Sequence, residues 1–150
     1  MSIFSILTTW LKRKAKDLPV PADSPRGTTN SRRDLPPIHF ASVSTIPKVL
    51  PNEGVEPGRF YVVAHNDNLY WALFRCPDGC GDVISLPLRA PHNPRWSVQA
   101  NSAGRVTLKP SVWRNQGCKA HFILEDGRIF WCNDSGIEPS LARPDIYRRR

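Results

Sequence analysis

Two sets of residues in this 150-residue chain could do chemistry, and they share one histidine. Cys76 and Cys80 flank Pro77-Asp78-Gly79, and Cys118 and His121 stand together in GCKAH. Thiolates beside a bend converge without distorting a strand, and tetrahedral zinc accepts such sulfur and nitrogen sets. The predicted ligand set is therefore Cys76, Cys80, Cys118 and His121, with Cys132 able to replace His121 and Asp78 placed in the turn toward solvent. The 37 residues between Cys80 and Cys118 exceed finger spacing and suit two hairpins pinned across a sheet. A Cys3His site has no open position, so Zn2+ bound there is structural. The competing account is that these cysteines are small buried hydrophobes holding no metal.

The second chemistry is hydrolytic. Ser111 precedes His121 by ten residues, and Asp126 or Asp134 is available to orient an imidazole, giving the elements of a serine, base and acid set. Against it, a serine following Pro110 reads as a turn-capping hydroxyl, and no strand-turn-helix elbow frames it. One imidazole nitrogen also cannot ligate zinc and take a proton from serine. Cys118 or Cys132 beside His121 is a weaker nucleophile reading, because a thiolate at a metal already accounts for a turn-flanked cysteine. His39, His65 and His92 read as surface or satisfied histidines. Whether the chain is an enzyme stays open at this point; if it is, it is a peptidase.

The elements that position these residues are short strands. Fifteen prolines and nine glycines argue against long helices. RFYVVAH (59–65) and LYWALFRC (69–76) flank the turn-prone NDN, and DVISLPL (82–88) follows. RWSVQA (95–100) and RVTLKP (105–110) alternate apolar and polar around NSAG, and HFIL and RIFWC flank EDG, whose Asp126-Gly127 pair is a strong hairpin signal. The fold class is mostly β: a small antiparallel sheet or sandwich of hairpins with a Cys/His zinc staple, preceded by a short amphipathic helix and a linker.

Charge places the remaining calls. The formal charge is +8, divided as +4 over residues 1–40, +1 over 41–142 and +3 over 143–150. The body is thus nearly neutral, which disfavours nucleic-acid recognition by the fold and leaves it only to the basic ends. Ile3, Phe4, Leu7, Trp10 and Leu11 share a helical face, so residues 1–17 are expected to form a basic amphipathic helix that docks on its own domain, a sister chain, a partner or a membrane surface. Residues 18–37 read as a proline-rich linker, 38–142 as the β domain and 143–150 as a basic tail. The apolar stretch precedes its positive charges, the reverse of a secretory signal, so a cytoplasmic location is expected. Finally, Trp71, Trp96, Trp113 and Trp131 beside Arg75, Arg95 and Arg114 would suit a protein or peptide partner wherever they are exposed.

FRCPDGCGDVISLPL, RWSV, LKPSVWR and GCKAHFILEDGRIFWC, in that order, resemble a family of small bacterial proteins often encoded beside E1-like, E2-like and ubiquitin-like conjugation proteins, some tied to antiviral defence. The resemblance spans about residues 59–133. The family motif often reads Cys-Pro-Cys-Gly-Cys-Gly, where this chain has Asp78 at the middle position. The resemblance implies a role in ubiquitin-like conjugation or its reversal, with a ubiquitin-like protein or its E1/E2 enzymes as partners. Two functions follow: an accessory or recognition module whose fold is held by zinc, or a deconjugating peptidase using Ser111 and His121.

Overall fold

The computed structural model describes residues 35–147. The predicted helix at 1–17, nearly all of the linker and the terminal arginines lie outside those residues. Eight strands form two four-stranded sheets: β1 (Val43–Ile46), β2 (Phe60–His65), β3 (Asn68–Arg75) and β4 (Val83–Pro87) in the first, and β5 (Ser97–Ala100), β6 (Val106–Trp113), β7 (His121–Glu125) and β8 (Arg128–Trp131) in the second, each in sequence order. Two single-turn helices, α1 (Pro139–Ala142) and α2 (Pro144–Tyr147), close the described chain.

The hairpins form where alternation meets turn chemistry. Asn66 and Asp67 both take positive φ, as do Asp126 and Gly127, the backbone that a two-residue hairpin turn requires. Gly127 has a second reason to be glycine: its carbonyl accepts the His39 and Phe40 amides, and a Cβ there would meet the Phe40 carbonyl. That contact carries Phe40 into the interior, edge-on to Phe60 and Phe74.

The sheets pack face to face. One core takes Phe60, Val62, Ala72 and Phe74 from the first sheet and Val98, Leu108, Phe122 and Leu124 from the second. The first sheet is covered on its other face too, where Tyr61, Val63 and Leu73 bury against Val55 and neighbouring residues of the preceding loop. β2 consequently reads as a continuous apolar run, and β1 pairs with it in parallel, so the antiparallel expectation holds for every pairing except this one. The second sheet is different: β7 alternates buried Phe122 and Leu124 with His121, Ile123 and Glu125, which lie on an outer face that no other sheet layer covers among the described residues.

Candidate active site and thiol cluster

The outer face of the second sheet carries Ser111. β6 pairs Leu108 with Leu124 and Val112 with Phe122, so Lys109, Pro110 and Ser111 lie opposite Ile123 alone. Such a bulge re-aims the side chains it contains. Pro110, which has no N–H to give the ladder, sits inside it, and the strand continues to Trp113 where the sequence pattern suggested it would end. Ser111 is therefore a bulge residue, not the turn cap that its Pro-Ser context suggested.

His121, the first residue of β7, lies directly across from Trp113. Its Nε2 is 3.1 Å from Ser111 Oγ, and its Nδ1 is 2.5 Å from Asp134 Oδ1. An ionised carboxylate only accepts hydrogen bonds, so Asp134 fixes the proton on Nδ1 and leaves the Nε2 lone pair facing the serine hydroxyl. The ring is clamped from other sides as well. The Trp113 indole stacks on it with centroids 4.3 Å apart and planes 4° from parallel, and the His121 amide donates to Ser135 Oγ at 3.0 Å. Asp134 lies in the turn after β8, tied back by Ser135 N–H to Cys132 O, Ile137 N–H to Asp134 O and Gly136 N–H to Lys119 O. His121 and Asp134 side chains keep 13% and 29% exposure, shielded but reachable from solvent.

Three sulfurs converge close by. Cys76, Cys80 and Cys118 offer Sγ atoms all within 4.8 Å of one another. The Cys76 to Cys118 separation is 3.7 Å, against about 3.8 Å for the sulfur-to-sulfur edge of a zinc tetrahedron with bonds near 2.3 Å. The amides of Asp78 and Ala120, each two residues beyond its cysteine, hydrogen-bond the Cys76 and Cys118 sulfurs and orient them as ligands. The donor set fits a soft divalent metal. Arg114 Nη1 stands 3.3 Å from both Cys80 and Cys118 and 2.8 Å from Asp82 Oδ2, supplying positive charge where thiolates gather. Burial drives the Cys76 thiol pKa upward. At Cys118 burial acts in the same direction, but the Ala120 amide, the neighbouring thiols and Arg114 outweigh it and bring the pKa below the usual thiol range.

His121 is not the fourth member of this cluster. Both its nitrogens face Asp134 and Ser111, and its sulfur neighbour is Cys132, which lies with it and Asp134 within 4.8 Å. The C-x2-H spacing fits either arrangement, because one residue past the turn the chain enters a strand and the imidazole swings to the sheet face. Burial, then the nearby Asp134 charge, push the Cys132 thiol up to about 11, which keeps it protonated and unlike a nucleophile. Asp126 is also not the orienting acid: its carboxylate meets Arg105 at 3.5 Å and accepts from Asn101, and its backbone amide donates to Thr107 Oγ1 on β6. Asp78 is half-buried in the turn, not turned out to solvent.

A family model described as "Bacterial ubiquitination-like system serine protease (BubE)" matches residues 44–132, more than half of the chain. The chain belongs to that family. Neither the curated proteins nor the solved structures gave a match. The BubE match takes in Ser111, His121 and the cysteines, and stops two residues before Asp134. It supports the link to a bacterial ubiquitination-like system that the motif resemblance implied, and makes protein partners plausible. Among the described residues no helix is long and apolar enough to cross a membrane.

Several contributors were not singled out from sequence for the roles they take here. Trp113 and Arg114 drew notice only as recognition residues, yet one lies under the imidazole and the other among the thiols. Asp82 drew none. Arg75, the first of the three recognition arginines by position, instead clamps the fold: its guanidinium donates to the carbonyls of Val55 at 2.7 Å, Gly81 at 2.5 Å and Asn52 at 2.9 Å.

Proposed function

We propose that the chain is a serine peptidase of a bacterial ubiquitin-like system, cleaving the acyl bond that joins a ubiquitin-like protein to another group. The hydrogen-bonded relay Ser111–His121–Asp134 carries this reading. Ser111 Oγ attacks the scissile carbonyl carbon while its proton passes to His121 Nε2, and the imidazolium so formed is held by Asp134 at Nδ1. As the tetrahedral species collapses, the scissile bond breaks and His121 returns the proton to the departing amine or alcohol. Water then repeats the sequence on the acyl-serine, releasing a carboxylate and restoring the hydroxyl.

Zinc, on this reading, would serve the fold; with His121 in the relay the cluster offers three thiols, so this role rests on the cross-link they would make and not on a closed four-ligand shell. Cys76, Cys80 and Cys118 would hold it, and what it supplies is a cross-link between the β3–β4 turn and the β6–β7 connection that leads into His121. The hydrolytic site needs nothing from it. An accessory role in recognition alone is less well supported, because a passive module gives no reason for an imidazole fixed between a carboxylate and a serine hydroxyl.

The test uses the purified full chain and the ubiquitin-like protein of its own system, extended beyond its C-terminus. Cleavage is expected, together with covalent labelling of Ser111 by a fluorophosphonate located by peptide mass. No labelling and no cleavage by a folded sample would falsify the proposal.

A further inference from the structure

A cleft of about 580 Å³ reaches Pro110, the residue before Ser111, without including Ser111 in its lining. Its floor is apolar, built from Leu69 and Leu88 of the first sheet's side and Trp96, Val98 and Pro110 of the second. Two observations join it to the catalytic residue: Pro110 precedes Ser111 in the bulge, and Trp96 Nε1 donates to the Ser111 carbonyl at 3.3 Å. Its rim carries Arg95 and Lys109, both exposed and neither paired with a carboxylate among the described residues. Five other cations meet carboxylates, Arg59 with Glu56, Arg105 with Asp126, Arg114 with Asp82, Lys119 with Glu138 and Arg143 with Asp145, whereas Lys48, Arg89 and Arg128 have no carboxylate partner among the described residues either; what sets Arg95 and Lys109 apart is that both flank one apolar cleft. Two uncompensated cations over an apolar floor select a ligand that is itself apolar and acidic. The wall also includes Ser97 and Val98 of β5, an edge strand that pairs only with β6 among the described residues, while Trp96 just before it is already held by its amide to the Pro87 carbonyl at 2.9 Å. An unpaired edge receives an extended chain.

We infer that this cleft is the specificity subsite, and that it takes an extended substrate segment bearing a large apolar side chain next to an acidic one. The inference rests on the peptidase reading for its role in turnover, but the binding preference stands by itself. The apolar side chain occupies the space over Trp96 and Leu88, and the carboxylate sits between Arg95 and Lys109. Ser111 then meets the carbonyl of a neighbouring residue, so the sequence beside the scissile bond decides which acyl bonds are cut.

The experiment measures fluorescence anisotropy of fluorescein-labelled decapeptides with full-length Ser111→Ala protein, so that binding is read without cleavage. One peptide centres on Leu-Asp, a second on Leu-Lys and a third on Ala-Asp. Leu-Asp is expected to bind about tenfold more tightly than either of the others, the apolar anchor and the rim charges contributing comparably. The doubly exposed substitution Arg95→Glu with Lys109→Glu should reverse the order of Leu-Asp and Leu-Lys, and 0.5 M salt should erase the charge preference while sparing the apolar one. Equal affinity for all three peptides, or a preference that survives the charge reversal, overturns the inference. Fluorophosphonate labelling of the unsubstituted chain separates the two ideas. Labelling at Ser111 without peptide preference removes the cleft and keeps the peptidase; preference without labelling does the opposite.

Discussion

Cys118 and His121 are three residues apart, yet they serve sites of opposite design. The thiol cluster collects like groups: three sulfurs at mutual distances of no more than 4.8 Å, each a potential anion, with Arg114 brought in against them. The Ser111–His121–Asp134 line orders unlike groups, so that each atom either gives or takes one proton. Convergent like charges are unstable without a cation, which is what a structural metal site exploits. A graded relay has no such deficit and stays poised. The difference teaches that residue type alone does not assign a role here: a histidine with cysteines nearby in sequence joins whichever geometry the strand face gives it.

The sharpest way to break this comparison is to disturb the relay. Ser111→Ala should lower kcat by about four orders of magnitude or more, with the melting temperature unchanged. Asp134→Asn keeps the hydrogen bond but permits the wrong tautomer, so a loss of about 10³ to 10⁴ in kcat is expected. Fluorophosphonate labelling should slow in parallel in the Asp134→Asn protein. If Asp134→Asn cleaves at the unsubstituted rate, the carboxylate is a spectator and the relay is reduced to two members.

Disturbing the cluster should give the reverse pattern. Cys118→Ser is expected to cost about 3 kcal/mol or more of stability, a drop in melting temperature of roughly 10 °C or more, and to release zinc measured by elemental analysis. Chelation of the unsubstituted protein should lower its melting temperature in the same direction. Activity per folded molecule should persist, because no atom of the relay comes from the cluster. Loss of turnover with full stability would erase the distinction drawn between the two sites.

What was legible in sequence follows the same line between local and non-local information. Strands β2, β3, β4, β7 and β8 came from short apolar or alternating runs bracketed by turn residues, and the Asp126-Gly127 hairpin from the backbone those two residues favour. Convergence of Cys76, Cys80 and Cys118 was readable because turn residues sit beside both pairs. The bulge at Lys109–Ser111 was not, since Pro-Ser at the end of an alternating run resembles a terminus, and only pairing with β7 shows the strand continuing. The parallel partner β1 was missed for a related reason: VSTI has no turn linking it to β2, and its pairing crosses a loop. The choice between Asp126 and Asp134 was unreadable because both follow hairpin residues, and only the fold turns one of them toward the imidazole.

Trp113 sharpens the comparison at an intermediate scale. Its indole face lies parallel to the His121 ring at 4.3 Å, where it restrains the imidazole and, in the proposed reaction, would attract the imidazolium. Trp113→Leu should lower kcat about tenfold with little change in KM, whereas Trp113→Phe should retain most of the rate. Equal losses in both variants, tracking loss of stability, would make the stack a packing feature alone. Cys132→Ala, by contrast, should leave kcat within about twofold, since a thiol held near 11 is neutral at working pH and stands outside the relay.

The smallest effect belongs to a histidine outside both sites. His39 is lodged against Phe40, its Nδ1 is buried with no hydrogen-bond partner among the described residues, and burial lowers its pKa below the ordinary 6.5. A base whose pKa is depressed on folding binds its proton more readily in the unfolded chain, so acid favours unfolding. The neutral imidazole is therefore tolerated above about pH 6.5, and stability declines as pH falls below it. Urea midpoints measured between pH 7.5 and 5.5 should fall in the native protein and fall less in His39→Leu. Because His39 supports Phe40 and not the relay, kcat per folded molecule should have the same pH profile in both proteins. A shifted profile would show that the Phe40 contact reaches the second sheet's outer face, and the separation of core from site argued here would no longer hold.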